Sequence, residues 1–303
     1  MANTKIEWAD KVWNPITGCS HAGSPGCDHC YAKRMAYRLK GRYGYPKDDP
    51  FKVTFHPDRL DEPLHWKKPC RIFVCSMGDL FHESVSSRFI NSVIGIMTAE
   101  ETRHHTFFIL TKRPQNMAAY FKNFIKCGVD LVQFIERVYL GVSVENQQTA
   151  DERIPILLQI PAAKRFVSVE PMLGPVDLGK LSDPNISWII VGGETGAGAR
   201  PLHLDWIRSL VEQCQAAGVP FFFKSWGEWE KSGHDSTHLL NADGRFVKRS
   251  EAMLRISDTR QDDLVDRGHL GWIRMKKVGK KRSGRLLDGK IWDEMPVCSK
   301  DFP

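Results

Sequence analysis

The chain has 303 residues, of which 42% are hydrophobic and 26% charged, so a disordered or collagen-like chain is excluded. Mean hydropathy is -0.35 and no apolar run approaches the roughly 20 residues that cross a bilayer, so we expect no membrane partner. The net charge of +7 mildly favours an anionic partner such as nucleic acid. The N-terminal residues MANTKIEWAD lack a signal-peptide pattern, and we expect a cytoplasmic protein.

The first chemically distinctive segment in the chain is a cysteine cluster. Cys19, Cys27 and Cys30 have the spacing C-x7-C-x2-C in a Gly- and Pro-rich loop, whereas the other five cysteines are scattered. A small secreted protein would have a denser disulfide framework, so the cluster indicates a metal site. Two occupants remain open. Three thiolates can hold a [4Fe–4S] cluster with one iron free for a small ligand, or they can bind zinc with His21 or His29 as the fourth ligand.

The middle of the chain alternates short apolar runs with helical stretches. Six runs are predicted to be buried parallel strands: Arg71–Cys75, Thr106–Leu110, Val138–Val142, Arg165–Val169, Ile186–Val191 and Val219–Phe223. Four helices are predicted between them: Ser87–Glu101, Pro114–Lys126, Thr149–Ile160 and Asp205–Ala217. With a possible first strand before Cys19, this order predicts an α/β fold, a partial (β/α) barrel of about six to seven parallel strands. A doubly wound open sheet is the alternative.

Polar side chains follow each predicted strand. They are Asp79, which follows Gly78, then Lys112 and Arg113, Ser143 and Glu145, Glu170, Glu194, and Lys224. Active sites of parallel α/β proteins lie at the carboxyl ends of the strands. Capping of the following helix would explain one or two of these residues, Asp79 among them. Six polar strand ends favour a shared pocket.

Residues 231–303 are more polar and more basic than residues 1–230. They are predicted to be a basic C-terminal extension or subdomain over the barrel. Eight Lys and Arg residues lie between Arg274 and Lys290, against one acidic residue, Asp288. Five more lie between Lys33 and Arg42, directly after the cysteine cluster. Such density suits contact with phosphates, and a solvated charged surface is the equal alternative.

A three-cysteine loop placed before a series of strand–helix units resembles the radical S-adenosylmethionine superfamily. There the usual spacing is C-x3-C-x2-C, with an aromatic residue before the last cysteine. Here the first interval is seven, His29 precedes the last cysteine, and the aromatic Tyr31 follows it. The longer interval contains residues 22–26, which are small loop formers.

Longer segments resemble a phage- and bacteria-associated family of unknown function that has an N-terminal three-cysteine motif and radical-S-adenosylmethionine character. The resemblance runs from about residue 4 to 230, with a weaker match in the tail. The segments that carry it include WNPITGC, CDHCYA, SMGDLFHE, FILTKRP, LGVSVENQQTADERIP, RFVSVEPMLGP, VGGETGAGARP and PFFFKSWGEW. Within the superfamily, spore photoproduct lyase acts on DNA, which suggests a nucleic-acid substrate by analogy.

The resemblance implies an enzyme that reductively cleaves S-adenosylmethionine to a 5′-deoxyadenosyl radical. This radical abstracts hydrogen from a substrate, such as a nucleic acid or a modified or damaged base, and an external electron donor is required. Its [4Fe–4S] cluster would be ligated by Cys19, Cys27 and Cys30. The residues implied to bind S-adenosylmethionine are Gly78, Asp79, Lys112, Ser143 and Glu145. Those implied to be catalytic are Lys112, Glu170, Glu194 and Lys224.

Two further hypotheses stay open at this point. A zinc-stabilised nucleic-acid-binding module without catalysis would explain the cysteines and the basic tail, although not the polar strand ends. A barrel hydrolase or lyase with carboxylate pairs would need no cluster. The sequence predicts no oligomeric state.

Overall fold

Seven parallel strands form the central sheet. The computed structural model describes residues 4–126, 137–179, 186–231, 238–248 and 272–296. Its sheet contains β1 (Lys11–Trp13), β4 (Arg71–Val74), β5 (Thr106–Thr111), β6 (Val138–Val144), β7 (Lys164–Val169), β8 (Trp188–Gly192) and β9 (Phe221–Ser225), adjacent in that order. Two short strands, β2 (Ile16–Thr17) and β3 (Thr54–Phe55), pair with each other between β1 and β4 in the chain. The predicted α/β partial barrel is confirmed. Strand β1 is the first strand that the sequence suggested before Cys19.

Six helices are described, and the four that lie between β4 and β9 are at the predicted places. The six are α1 (Tyr31–Arg38), α2 (Ser87–Thr98), α3 (Pro114–Lys126), α4 (Gln147–Gln159), α5 (Leu204–Ala217) and, near the C-terminus, α6 (Lys280–Ser283). The Ser86 side chain caps α2, and Asn146 and Thr149 form a capping box on α4. Gly218, with φ of +67°, ends α5 as a left-handed C-terminal cap. No helix in the described ranges is long and apolar enough to cross a bilayer.

The sheet curves around an aromatic interior. The ring of Trp8 lies 4.8, 5.7, 6.5 and 5.8 Å, centroid to centroid, from the rings of Phe73, Phe108, Phe166 and Trp188. These four residues belong to β4, β5, β7 and β8. In a flat sheet β4 and β8 would be about 19 Å apart, so contact with a single tryptophan requires strong curvature. Buried edge-to-face aromatic pairs stabilise this arrangement.

Alternation along the strands divides the interior into an aromatic layer and a polar layer. On β7, Phe166 belongs to the aromatic interior, Ser168 follows on the same face, and Glu170 comes just after the strand. Gly141 on β6 makes room for this packing, because a Cβ there would lie 2.4 Å from the Phe166 ring. The same spacing of four residues relates Phe108 to Lys112 and Tyr139 to Ser143, and on β9 Lys224 follows Phe222 after two residues, again on the same face. Polar side chains therefore collect at the carboxyl ends of the strands.

The C-terminal part forms a second, antiparallel sheet and then returns to the barrel. Its strands are β10 (Trp229–Lys231), β13 (Trp272–Lys277), β11 (His238–Asn241) and β12 (Phe246–Lys248), in that order. A hairpin of β14 (Leu286–Leu287) and β15 (Lys290–Ile291) follows. The Glu294 carbonyl then accepts a hydrogen bond from the Trp188 indole at 2.8 Å, so the tail packs under β8 and β9. Residues 249–271 of the predicted extension lie outside the described part of the chain.

His105 gives the fold a predicted dependence on pH. It is fully buried; its Nδ1 accepts a hydrogen bond from the Cys70 backbone N–H at 3.2 Å, and its Nε2 lies 3.2 Å from the Pro63 carbonyl. Burial and the neighbouring His104 lower the pKa of His105 to about 4. Protonation of Nδ1 would also break its bond with Cys70.

We predict that the free energy of unfolding falls as the pH drops from about 6.5 to about 4, because the unfolded chain binds a proton at this histidine and the folded chain does not. The loss reaches about 3 kcal/mol at the lower limit. Chemical denaturation across this pH range measures it. His105→Gln should lack this part of the slope, and an unchanged slope in that variant would contradict the prediction.

Candidate active site

The cysteine loop, residues 18–30, begins beside the segment that follows β4. Gly18 forms an isolated parallel bridge with Gly78, and the Cys19 N–H donates to the Phe51 carbonyl at 3.0 Å. Gly18 has φ of +85°, and a Cβ on it would lie 2.1 Å from the Lys52 carbonyl oxygen. Glycine is therefore required at the start of the loop.

The loop then passes over the ends of β6 and β7 before entering α1. A Cβ on Gly26 would lie 2.8 Å from Oε1 of Glu145 and 2.9 Å from Cδ of Pro171. Cys30 is the N-cap residue of α1, and its carbonyl accepts from the Arg34 N–H at 3.2 Å. The loop thus places its three cysteines at the carboxyl edge of the sheet.

All three cysteines of the loop are free, partly exposed thiols. Burial, followed by the Asp79 carboxylate, raises the pKa of the Cys19 thiol to about 11, although Arg113 acts in the opposite direction. Metal binding at Cys19 would therefore release a proton. Among the described residues, no group of three His, Cys, Asp or Glu side chains is arranged to hold a metal ion. Three cysteines on one loop are the donor set that a [4Fe–4S] cluster uses, with each cysteine ligating a different iron rather than converging on one point.

Arg113 holds the first half of the loop, in an arrangement we call the Arg113 clamp. Its Nη1 lies 3.3 Å from Sγ of Cys19 and 3.3 Å from Oδ2 of Asp79, and its Nη2 donates to Oγ of Ser20 at 2.9 Å. Its Nε donates to Glu83 at 2.8 Å. The guanidinium is buried, so these contacts fix the loop to the ends of β4 and β5.

Gly78 and Asp79 lie at the joint between the loop and these two strands. Asp79 is buried and accepts hydrogen bonds from the Thr111 hydroxyl at 2.8 Å and from the Lys112 backbone N–H at 3.2 Å, besides its contact with Arg113. The helix-capping alternative for Asp79 is not observed, because Ser86 caps α2. Asp79 therefore holds the end of β5 and the Arg113 side chain in position.

Glu194 holds the second half of the loop, in an arrangement we call the Glu194 clamp. Its two carboxylate oxygens accept from Nε and Nη2 of Arg200 at 2.9 and 2.6 Å, and Oε2 lies 3.2 Å from Nδ1 of His29. The same guanidinium donates to the Pro25 carbonyl at 2.7 Å. Burial alone would raise the pKa of Glu194, but the hydrogen bonds from Arg200 and then His29 outweigh it and lower the pKa.

Lys112, Ser143 and Glu145 form a connected group inside the barrel. The ammonium of Lys112 contacts Oε1 of Glu145 and donates to Oγ of Ser143 at 3.1 Å. Arg153 on α4 holds the other oxygen of Glu145 at 3.3 Å and donates to the Ser143 carbonyl at 2.5 Å. The Glu145 side chain is fully buried, whereas that of Lys112 is 21% exposed. Lys112 is thus the member that a ligand can reach.

Glu170 and Lys224 form a second pair, with Nζ 2.5 Å from Oε1. The pair crosses β8, and Gly192 on that strand makes this possible, because a Cβ there would lie 3.0 Å from the Glu170 carboxylate. Ser143 joins the two groups by donating to the Glu170 carbonyl at 3.3 Å. The structure therefore brings together five of the predicted residues: Lys112, Ser143, Glu145, Glu170 and Lys224. Asp79 and Glu194 lie apart from this row, in the contacts that position the cysteine loop.

Sequence reasoning missed several residues that complete the site. His82 has Nε2 2.8 Å from Oγ of Ser20, and Arg200 completes the Glu194 clamp. Arg153 carried a readable signal, because it lies one residue from Ile154 on the buried side of α4, where an arginine requires a buried partner. For His82 and Arg200 no local pattern distinguishes a loop contact from an ordinary surface position.

We predict that Arg200→Ala loosens the cysteine loop. The variant loses the paired hydrogen bonds to Glu194 and the bond to the Pro25 carbonyl, so its free energy of unfolding should fall by about 2 kcal/mol. Alkylation of the loop thiols in metal-free protein should become faster, as followed by mass spectrometry. Arg208→Ala is the control, since Arg208 pairs with Asp288 on the surface of α5. Equal alkylation rates in the two variants would refute the clamp.

Comparison with known proteins places the chain in a family. The chain belongs to the family described as "Protein of unknown function (DUF5131)", which matches residues 3–296. No curated protein matches it. Similar solved structures include spore photoproduct lyase complexed with dinucleoside spore photoproduct, at 12% identity and a TM-score of 0.42, and a mutant of that lyase, at 10% and 0.42. Each alignment covers 89% of this chain and 76% of the other. At this identity and TM-score, the similarity does not support any conclusion about activity.

Proposed function

We propose that this family member is an iron–sulfur enzyme that uses S-adenosylmethionine for radical chemistry. The observation that carries the proposal is the position of three free thiols on one loop, which two buried clamps hold over a row of polar side chains at the carboxyl edge. Cys19, Cys27 and Cys30 would ligate a [4Fe–4S] cluster. When bound and reduced, the cluster would supply the electron that cleaves S-adenosylmethionine to the 5′-deoxyadenosyl radical.

The surroundings of the thiols support a negatively charged cluster. The Arg113 guanidinium, 3.3 Å from Sγ of Cys19, opposes the effect of burial on this thiol and favours its ionised form. Cys30 lies at the N-terminus of α1, where the helix dipole favours negative charge. The zinc alternative finds less support, because both candidate fourth ligands are engaged: His21 pairs with Asp28 at 3.1 Å, and His29 belongs to the Glu194 clamp.

In this proposal the row of polar residues binds S-adenosylmethionine. The partly exposed Lys112 ammonium pairs with its carboxylate, and the buried Glu145 carboxylate and Ser143 hydroxyl hold that ammonium in position. Arg153 fixes the orientation of Glu145 before the ligand arrives. Asp79 contributes by holding the Lys112 backbone, and Gly78 lets the cysteine loop approach closely.

Glu170 and Lys224 face the substrate. Their side chains are 22% and 21% exposed, so this pair is open to a bound molecule, unlike Glu145. Lys224 can donate a proton at Nζ and Glu170 can accept one at Oε1. The proposed substrate is a nucleic acid, such as one with a modified or damaged base, in keeping with the basic segments of the chain. An external donor supplies the electron.

The test is anaerobic purification with iron and sulfide analysis, followed by EPR spectroscopy of the dithionite-reduced protein with and without S-adenosylmethionine. We expect about four irons and four sulfides per chain and a signal that shifts on addition of S-adenosylmethionine. Cys19→Ala, Cys27→Ala and Cys30→Ala should each lose the cluster. Cys214→Ala, at a buried position on α5, is the matched control and should keep it.

Three outcomes would overturn the proposal. Stoichiometric zinc without sulfide, even after reconstitution, would favour the binding module. Loss of iron in Cys214→Ala to the same extent as in Cys27→Ala would show that the loop is not the ligand source. Activity that survives all three loop substitutions would indicate a hydrolase or lyase.

A second prediction concerns Lys112. Lys112→Gln should keep the iron content and the reduced EPR signal but require roughly tenfold more S-adenosylmethionine for the spectral shift, because a charge-assisted contact to the carboxylate is lost. Titration of the shift measures this dependence. Lys122→Gln, on the exposed side of α3, should behave as the unmodified protein. Identical titrations for all three proteins would remove Lys112 from the binding site.

A further inference from the structure

The segment that directly follows the cysteine loop exposes aromatic rings. Tyr31, Tyr37 and Tyr43 are 47%, 54% and 73% exposed, and Met35 between them is 39% exposed. These four are more than half of the large apolar side chains exposed in the part of the chain that the structure describes. Scattered exposed apolar residues are normal, but a cluster of them marks a binding surface.

The same segment is uniformly basic. Residues 31–47 contain six basic residues and no Asp or Glu, namely Lys33, Arg34, Arg38, Lys40, Arg42 and Lys47. None of the six forms an ion pair within the described ranges of the chain. Helix α1 buries its small residues Ala32 and Ala36 and directs its longer side chains outward. The positive charge therefore lacks an internal partner in the described structure and is available to an anionic one.

Basic residues from the C-terminal part meet α1 at one turn. Nη2 of Arg34 lies 3.4 Å from Oγ1 of Thr195, and Nζ of Lys277 lies 3.2 Å from the carbonyl oxygen of Gly196. The turn directly follows Glu194, so both basic segments border the Glu194 clamp. Exposed Lys280, Lys281 and Arg282 on α6 extend the charge beyond β13.

We propose that this basic aromatic surface, residues 31–43 together with Lys277 and α6, binds single-stranded nucleic acid and directs it to the candidate active site. Proteins that bind single strands combine cationic side chains for the phosphates with aromatic rings on which bases stack. A duplex hides its base faces and would leave the tyrosines without a partner. Tyr31 connects the surface to the site, because its hydroxyl donates to the Ser76 carbonyl after β4 and its neighbour is Cys30.

Delivery of the strand to the active site rests on the proposed function, whereas binding of the strand does not. Binding is therefore measured by itself. Fluorescence anisotropy of a labelled oligothymidylate of about 15 nucleotides, and of a duplex of equal length, is recorded at rising KCl with the cluster-loaded protein. The single strand should bind more tightly. Tyr37→Ala should weaken its binding roughly 5- to 150-fold, whereas Tyr37→Phe should retain it, because stacking needs the ring and not the hydroxyl.

The charge contribution is tested by the salt dependence. The double variant Lys33→Ala/Lys40→Ala should reduce the slope of log K against log salt by about 1.4, because each lost phosphate contact removes about 0.7 for a single strand. Arg88→Ala/Lys122→Ala removes the same charge from exposed positions on α2 and α3 and should leave the slope unchanged. Equal changes in the two double variants would show an unspecific charge effect and overturn the surface.

Other outcomes separate this inference from the proposed function. Tighter binding of the duplex, or unchanged binding in Tyr37→Ala, would overturn it. The inference would also be overturned if the protein did not bind the oligonucleotide but bound phosphatidylserine vesicles, and if Tyr37→Ala abolished the vesicle binding. Oligonucleotide binding without any effect of S-adenosylmethionine on the EPR spectrum would support the surface and overturn the radical enzyme. A spectral shift without oligonucleotide binding would overturn the surface alone.

Discussion

The curvature of the sheet around Trp8 is the constraint on which the rest of the structure depends. One indole contacts aromatic rings from four strands, so the strands bend toward a common axis and their carboxyl ends approach one another. At these ends the ion pair between Glu170 and Lys224 joins β7 and β9 across β8. Alternation along each strand then fixes the order of the layers: aromatic rings fill the amino-terminal half of the interior, and charged side chains fill the other half.

Buried charge specifies the position of the cysteine loop. Arg113 and Glu194 are both buried, and each is matched by opposite charges and hydrogen bonds. Burying ions costs desolvation free energy that their attraction only partly offsets, so such pairs fix geometry more than they add stability. A loop rich in Gly and Ser has no apolar core of its own to hold it. Two ionic clamps reaching from opposite sides of the barrel therefore determine where the thiols lie.

Much of the fold could be predicted because its signals are local. Buried strands appear as short apolar runs, Gly218 marks the end of α5, and a shared edge for parallel strands implies that Lys112 and Glu145 meet. The choice between a curved partial barrel and an open doubly wound sheet could not be made from the sequence, because it depends on contacts between Trp8 and residues far away in the chain. The roles of Asp79 and Glu194 could not be predicted either. Both are predicted to contact a ligand, and in the structure each carboxylate pairs with an arginine whose position depends on loop conformation.

The unusual spacing of the first two cysteines is explained by where the clamps act. Seven residues separate Cys19 from Cys27, four more than in the motif that the loop resembles. The Arg113 clamp ends at Ser20 and the Glu194 clamp begins at Pro25, so the additional length lies between them. Gly23 there is exposed with φ of +65°, and a Cβ on it would meet nothing within 4 Å. Insertion at this point extends the loop into solvent and leaves both anchored ends, with their cysteines, where the barrel holds them.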